Sequence, residues 1–227
     1  MAKTKRPISV RRPNTADMAQ FILASASPRR KELLNRLELP FEIIPSSVEE
    51  NYNNGMAPPE MAKRWALEKA RDVAAAHPET IVVGADTIVV LEGNILGKPK
   101  DSSEAAAMLR KLSNKSHTVH TGVALVHKSN EVEISFVEST EVTFFELDET
   151  LISSYVATGS PLDKAGAYGI QDGSACFVEK VNGCYHNVVV SRWHDLFSWF
   201  GLRSSNSSFP PTFGLLPIGR SLKIISP

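Results

Sequence analysis

The segment IVVGADTIVV, residues 81–90, places one acidic side chain in the middle of a strongly apolar run. A continuous run of this length, rich in β-branched residues, predicts a strand that is covered on both faces. Within such a strand Asp86 is costly to ionise unless a metal ion, a lysine or a catalytic water pairs with it. A structural Asp that hydrogen-bonds a neighbouring loop is the alternative. Gly84, two residues earlier, permits close approach of another backbone.

A second segment, ILASASPRRKELL at residues 22–34, joins a short apolar strand to a helix through small and basic residues. Ser27 can cap a helix whose first residue is Pro28. Arg29 and Arg30 then lie in the first turn, where positive side chains oppose the helix dipole, so an anion is expected to complete the site. An ordinary helix start with exposed arginines is the alternative interpretation.

The remaining chain alternates between helical and strand patterns. Helices are predicted over 28–37, 59–76, 102–112 and 149–157, and strands over 41–44, 81–91, a short hairpin partner ending near Leu96, 117–127, 131–146, 175–181 and 185–190. This order predicts an α/β fold with a mixed, twisted sheet and helices on both sides. Asp101 precedes the helix 102–112 and is interpreted as its N-cap rather than as a catalytic residue.

Composition limits the classes of partner. Lysine plus arginine equals aspartate plus glutamate, 25 each, which disfavours a nucleic-acid polymer as partner, and no apolar run approaches the length of a membrane span. Cys176 and Cys184 are expected to be buried, reduced thiols in a cytoplasmic protein. The basic segment 1–19 is interpreted as a disordered tail rather than a mitochondrial transit peptide, because Pro7 and Pro13 interrupt any amphipathic helix.

Five motifs, SASPRR, EKA, GADT, GKP and LDKAGAYGIQ, occur in the order found in the Maf family of nucleoside triphosphate pyrophosphatases, which the chain resembles over residues 21–189. Chance matches to one short motif are common, but five in order are not. The resemblance implies two lobes around a nucleotide cleft, as in inosine triphosphatase-like folds. It also implies hydrolysis of a nucleoside triphosphate to monophosphate and pyrophosphate. GADT followed by YGIQ resembles the branch that acts on dTTP and UTP rather than on 7-methyl-GTP.

The resemblance assigns the general base to Asp86 and a divalent metal ion to Glu49, Glu50 and Asp86. Magnesium is the expected ion, with manganese as an alternative, because carboxylate oxygens and phosphates are hard ligands. Taken alone, Glu49 and Glu50 would be interpreted as a solvated acidic loop.

The resemblance also implies two groups of substrate-binding residues. One group consists of three lysines that hold the phosphates, and the other group reads the base. Without the resemblance, Lys69 would be interpreted as part of a charged helix face. Lys164 would be interpreted as half of a surface ion pair with Asp163. The full set is Ser25, Arg29, Arg30, Lys69, Thr87, Lys98, Lys164 and Gln171, in which Lys69, Lys98 and Lys164 are the phosphate ligands and Arg29, Thr87 and Gln171 select a pyrimidine.

The resemblance ends after NVVV, residues 187–190. The apolar spacing in 193–200 predicts a short amphipathic helix, so the domain is placed at 20–200 and a divergent, mobile tail at 201–227. Two classes of function remain open. The first is a pyrophosphatase for dTTP, UTP and modified pyrimidine triphosphates, or for another nucleotide such as 7-methyl-GTP. The second is a nucleotide-binding regulatory protein with little turnover. A homodimer is also left open.

Overall fold

The computed structural model describes residues 21–35, 40–51 and 55–189. Its strands are β1 Phe21–Leu23, β2 Phe41–Ile43, β3 Ile81–Leu91, β4 Asn94–Leu96, β5 Ser116–His127, β6 Val132–Phe144 and β7 Val178–Asn182. Its helices are α1 Pro28–Asn35, α2 Pro58–Ala76, α3 Ser102–Leu112, α4 Glu149–Ala157 and α5 Tyr185–Val189. The predicted basic tail 1–19, the helix 193–200 and the tail 201–227 lie outside the described residues.

The strands form one seven-stranded sheet in the order β2-β1-β3-β5-β6-β7, with β4 also paired to β3. β1 runs parallel to β2 and β3, whereas β5 runs antiparallel to β3, β6 antiparallel to β5, and β7 antiparallel to β6. The sheet is therefore mixed, and the predicted α/β class is confirmed.

Helices cover both faces of the sheet. Because successive strand residues point to opposite faces, Val82 and Val83 of β3 pack against different helices. Val83 belongs to an apolar cluster with Leu34 of α1, whereas Val82 belongs to another with Ala70 of α2. Helices α3 and α4 cover the far end of β3, β5 and β6 in a third apolar cluster.

Two glycines let α2 lie directly on the backbone of the sheet. A Cβ atom at Gly84 would lie 2.1 Å from the carbonyl oxygen of Ala66, and one at Gly122 would lie 2.1 Å from that of Ala62. Gly122 is also the β5 residue paired with Asp86. The expected close approach at Gly84 is confirmed, and it brings the following turn of α2 next to Asp86.

One edge of β3 is open in the middle. β1 pairs with β3 only as far as Val83, and β4 pairs with it only from Val89 onward. Over the described ranges no strand pairs with this edge of β3 between these two residues, while β5 pairs with its other edge throughout. The gap separates the end of β1 from β4 and opens a cleft above β3.

The predicted strand 185–190 is wrong, because residues 185–189 form the short helix α5. Local preference for a strand is overridden by tertiary contacts of the fully buried Asn187. Its amide donates to the backbone carbonyl of Val119 at 3.0 Å and to Thr140 Oγ1 at 2.9 Å. The preceding strand begins at Val178, later than predicted, because residues 173–177 form 3-10 turns.

Asp101 is the N-cap of α3, since its Oδ1 accepts from the backbone N–H of Glu104 at 2.8 Å. Both cysteines are free as expected, but neither is buried, because Cys176 is exposed and Cys184 is half-buried. In the part of the chain that the structure describes, no helix is long and apolar enough to cross a membrane.

The Gly84→Ala substitution should destabilise the protein, because the new methyl group would overlap the backbone of α2. Overpacking of this kind costs about 1–3 kcal/mol or more, with a fall in Tm of about 2–4 °C per kcal/mol in a chain of this size. Gly173→Ala is the matched control, since its nearest new contact is 3.8 Å away at the Tyr155 ring. Equal melting temperatures for the two variants would contradict this account of the helix contact.

Candidate active site

A cleft with a volume of about 680 Å³ lies at the open edge of β3. That size suits a small-molecule ligand such as a nucleotide. The cleft brings together most of the residues expected from the sequence, namely Ser25, Arg29, Arg30, Glu50, Lys69, Asp86, Thr87 and Lys98. Three expected residues, Glu49, Lys164 and Gln171, are not among those that line it.

A carboxylate-lysine-carboxylate cluster lies at one side of the cleft. Lys69 Nζ of α2 contacts Asp86 Oδ1 at 2.7 Å and also bonds Glu50 Oε1. Asp86 is 3 % exposed, whereas the side chain of Glu50 is 33 % exposed. The sequence argument that a buried Asp86 needs a partner is therefore met by a lysine.

Asp86 has the electrostatic character of a proton acceptor. Burial raises the pKa of its carboxyl group, the nearby charge of Glu50 adds to the rise, and the charge of Lys69 opposes it. Oδ2 of Asp86 is buried and has no hydrogen-bond partner among the described residues. One oxygen is thus held by Lys69, and the other is left for a water, a metal ion or a substrate.

The loop that carries Glu50 is held by Asp72, a residue the sequence analysis did not single out. Asp72 Oδ2 accepts from Ser46 Oγ and from the backbone N–H of Ser47, both at 2.8 Å. The bond from the Ser47 N–H is the main reason that the pKa of Asp72 is lowered. Asp72 lies one turn after Lys69 on α2, so one helix positions both the lysine and the acidic loop.

Arg30 is buried and ties the loop after β1 to the open edge of β3. Its NH1 group donates to Ser25 Oγ and to the backbone carbonyl of Ala85, both at 2.9 Å, and its NH2 group donates to Thr87 Oγ1 at 3.3 Å. Ser25 Oγ also accepts from the backbone N–H of Ser27. The guanidinium of Arg30 thus organises the cleft through protein acceptors.

Positive side chains also lie at the rim. Lys98 is exposed and Arg29 is half-buried, and both line the cleft. Asp163 also lines the cleft, and although burial opposes its ionisation, the bond from Lys164 and the charges of Lys164 and Arg29 lower its pKa. A negatively charged ligand entering here would meet positive groups from both sides of the gap.

Lys164 is engaged within its own loop. Its Nζ donates to Asp163 Oδ1 at 2.7 Å and to Ser160, and it lies 3.4 Å from Asp172 Oδ2. Its aliphatic chain passes over Gly169, where an added Cβ would lie 2.7 Å from Lys164 Cε. Gln171 is exposed in the same loop. The roles of Lys164 on phosphate and Gln171 on the base stay predictions.

A buried histidine contacts one of the residues that line the cleft. His117 is 2 % exposed, and its Nε2 lies 2.7 Å from the hydroxyl of Tyr168, which lines the cleft. Burial lowers the pKa of His117 to about 4 and raises that of Tyr168. His120 pairs instead with Ser139 on β6, so the two histidines have separate environments.

No group of three or more His, Cys, Asp or Glu side chains within the described ranges is placed to hold a metal ion by itself.

Residues 20–189 match the family of Maf-like proteins. The chain belongs to that family.

Several relatives in the Maf family are similar over most of their length. The dTTP/UTP pyrophosphatase of Bacillus cytotoxicus is 54% identical over 172 residues, which cover 76% of this chain and 89% of the relative. That of Ruminiclostridium cellulolyticum is 47% identical over 173 residues, covering 76% and 90%. A solved HAM1 protein structure from Coxiella burnetii is 17% identical over 70% of this chain and 91% of that one, with a TM-score of 0.40.

His117 should make the stability of this Maf protein fall in acid. Its pKa is about 4 when folded and near 6.5 when exposed, so the unfolded chain binds more protons between these values. The contribution to stability is complete above pH 6.5 and is lost as the pH falls towards 4. Between pH 7.5 and 5 the free energy of unfolding should therefore fall by about 2 kcal/mol more in the wild type than in His117→Gln.

Urea unfolding at the two pH values measures this difference. The same substitution at the exposed His186 is the control and should retain the pH dependence of the wild type. If His117→Gln showed the same acid loss as the wild type, burial of a neutral imidazole would not be its cause.

Proposed function

We propose that this Maf protein hydrolyses dTTP and UTP, with related modified pyrimidine triphosphates, to the nucleoside monophosphate and pyrophosphate. Support comes from the names of its relatives, which are dTTP/UTP pyrophosphatases. The single observation in the structure that carries the proposal is Asp86. It is a buried carboxylate with one oxygen held by a lysine and the other without a partner, in a cleft large enough for a nucleotide.

Asp86 is the proposed general base. Its Oδ2 takes a proton from the attacking water, and its raised pKa makes it a better proton acceptor than an exposed aspartate. Lys69 holds Oδ1, which fixes the direction of the carboxylate and keeps its charged form accessible. The water then attacks phosphorus, and the bond to the departing pyrophosphate breaks.

A magnesium ion, or manganese in its place, is the proposed cofactor. The carboxylates of Asp86 and Glu50 fit such an ion, because Lys69 Nζ contacts an oxygen of each and so holds the two groups together at the cleft. Glu49 is the neighbouring ligand that the family resemblance adds. Magnesium often uses one or two carboxylates together with substrate phosphates, so a complete protein cage is not needed. When bound, the ion neutralises phosphate charge.

The phosphates are proposed to bind at Lys69 and Lys98, with Lys164 as the third lysine of the set. Lys69 lies on α2 and Lys98 follows β4, and both line the cleft, which suits a triphosphate that spans the distance between them. Ser25 and Arg30 support the loop below the phosphates through their mutual hydrogen bond. Positive charge around the departing pyrophosphate stabilises the transition state.

Selection of the base is proposed to involve Arg29, Thr87 and Gln171. Arg29 and Thr87 line the cleft, and the loop of Gln171 adjoins Tyr168, which lines it too. A glutamine amide can offer both a donor and an acceptor to the edge of uracil or thymine. A pocket built for that edge leaves polar groups unpaired against a purine.

A panel of triphosphates tests the function directly. With magnesium, dTTP and UTP should release pyrophosphate at much higher kcat/KM than CTP, GTP or 7-methyl-GTP. Nucleotide binding without pyrophosphate release would favour the regulatory alternative. Release of orthophosphate instead of pyrophosphate would show cleavage at a different bond and would refute the proposed reaction.

Asp86→Asn should reduce kcat by about a hundredfold to ten-thousandfold, the usual loss when a general base is removed. Binding of UTP, measured by calorimetry, should persist. Asp101→Asn is the matched control, because asparagine also caps helices and Asp101 acts as the N-cap of α3. A near wild-type rate for Asp86→Asn would remove Asp86 from the role of base.

A further inference from the structure

A chain of buried hydroxyl and amide groups runs from the cleft to α5. Thr87 Oγ1 on β3 lies 3.1 Å from Thr121 Oγ1 on β5. Thr121 Oγ1 in turn donates to the backbone carbonyl of Asn187 at 3.1 Å. Thr121 is 1 % exposed and does not line the cleft, whereas Thr87 is half-buried and does. Thr121 therefore does not contact a ligand itself, and its hydrogen bond to Thr87 is its direct link to a residue of the cleft.

The direction of these hydrogen bonds follows from the number of protons. A threonine hydroxyl carries one proton and two lone pairs, and a backbone carbonyl can only accept. The proton of Thr121 is committed to the carbonyl of Asn187. Thr121 must therefore accept in its contact with Thr87, and Thr87 must donate its own proton to Thr121.

The second known contact of Thr87 has the opposite sense. NH2 of Arg30 donates to Thr87 Oγ1, and a guanidinium has no acceptor to offer in return. Thr87 thus donates its one hydrogen bond to Thr121 and accepts a hydrogen bond from Arg30. What the hydroxyl has left for the cleft is a lone pair.

The groups that impose this arrangement are themselves fixed. The Asn187 side chain donates to Val119 and Thr140, which holds its backbone carbonyl under Thr121. Ser25 and the carbonyl of Ala85 hold Arg30 on the other side. Rotation of the Thr87 hydroxyl towards the cleft would cost the bond to Thr121, so its polarity is set by the fold.

We infer that Thr121 is a positioning residue that fixes Thr87 as a hydrogen-bond acceptor towards the nucleoside of the substrate. Ionised phosphate oxygens have no proton to give, so they are unsuitable partners for Thr87 in this state. An N–H of the base or a hydroxyl of the sugar is suitable. The inference rests on the proposed function in that the ligand is a pyrimidine nucleotide, and it assigns to Thr121 part of the recognition of the nucleoside.

Calorimetry with two probes, UMP and inorganic pyrophosphate in the presence of magnesium, tests this assignment without relying on turnover. Thr121→Val keeps the shape of the side chain but removes the acceptor for Thr87. The Kd for UMP should rise about tenfold, the value of one hydrogen bond, while the Kd for pyrophosphate stays within about twofold. Thr121→Ser retains the hydroxyl and should therefore keep the Kd for UMP close to that of the wild type.

A double-mutant cycle separates positioning from a general structural effect. Once Thr87→Val has removed the group through which Thr121 acts, adding Thr121→Val should change the Kd for UMP by less than about twofold. Thr143→Val is the matched control, because it breaks another hydroxyl pair between neighbouring strands, Ser116 with Thr143 at 2.8 Å, outside the residues that line the cleft. That control should leave the Kd for both probes unchanged.

Equal losses of UMP and pyrophosphate affinity in Thr121→Val, or additive losses in the double variant, would overturn the inference. Failure of the wild type to bind UMP would overturn it as well. If Thr121→Val did not fold, Thr87→Val alone must still show the loss confined to UMP. Because the probes report binding, a chain that binds UMP but releases no pyrophosphate would refute the proposed function and leave this result standing.

Discussion

The contact on which the site depends is that of α2 with the bare backbone of the sheet at Gly84 and Gly122. No side chain separates the helix from β3 and β5 there, so α2 lies closer to the sheet than an ordinary helix packed on side chains. This closeness lets Lys69 reach Asp86, and it places Asp72 where it can hold the loop of Glu50. A small shift of this one helix would disturb the base, its counter-charge and the acidic loop together.

The other half of the site depends on a sheet that is interrupted on one edge. Where β1 has ended and β4 has not begun, backbone and side chains of β3 face the cleft directly. Asp86 and Thr87 are adjacent in sequence and point to opposite faces of β3. Asp86 meets the charged groups of α2, and Thr87 meets Arg30 and the buried hydroxyl chain, so two neighbouring residues serve two different environments.

Local sequence patterns predicted most of the helices and strands and singled out Asp86. They could do so because apolar periodicity and a helix cap such as Asp101 depend on residues close together in the chain. They also predicted that a buried Asp86 needs a partner. They failed at residues 185–190, where the buried amide of Asn187 outweighs β-branched preference. No sequence pattern indicated Asp72 or Thr121, because their hydrogen-bond partners, Ser47 and Asn187, lie far away in the chain. The resemblance named Lys164 and Gln171, but their placement outside the cleft lining depends on the three-dimensional path of one loop.

The open edge of β3 has a further consequence for the solubility of the protein. An unpaired strand edge is a template on which another chain can add a strand, and natural sheets protect such edges with charged groups that point inward. Arg30 occupies the carbonyl of Ala85 on this edge with a buried guanidinium. A foreign strand would have to break the bond from Arg30 to this carbonyl before it could pair there. The residue that organises the cleft thus also guards the chain against edge-to-edge aggregation.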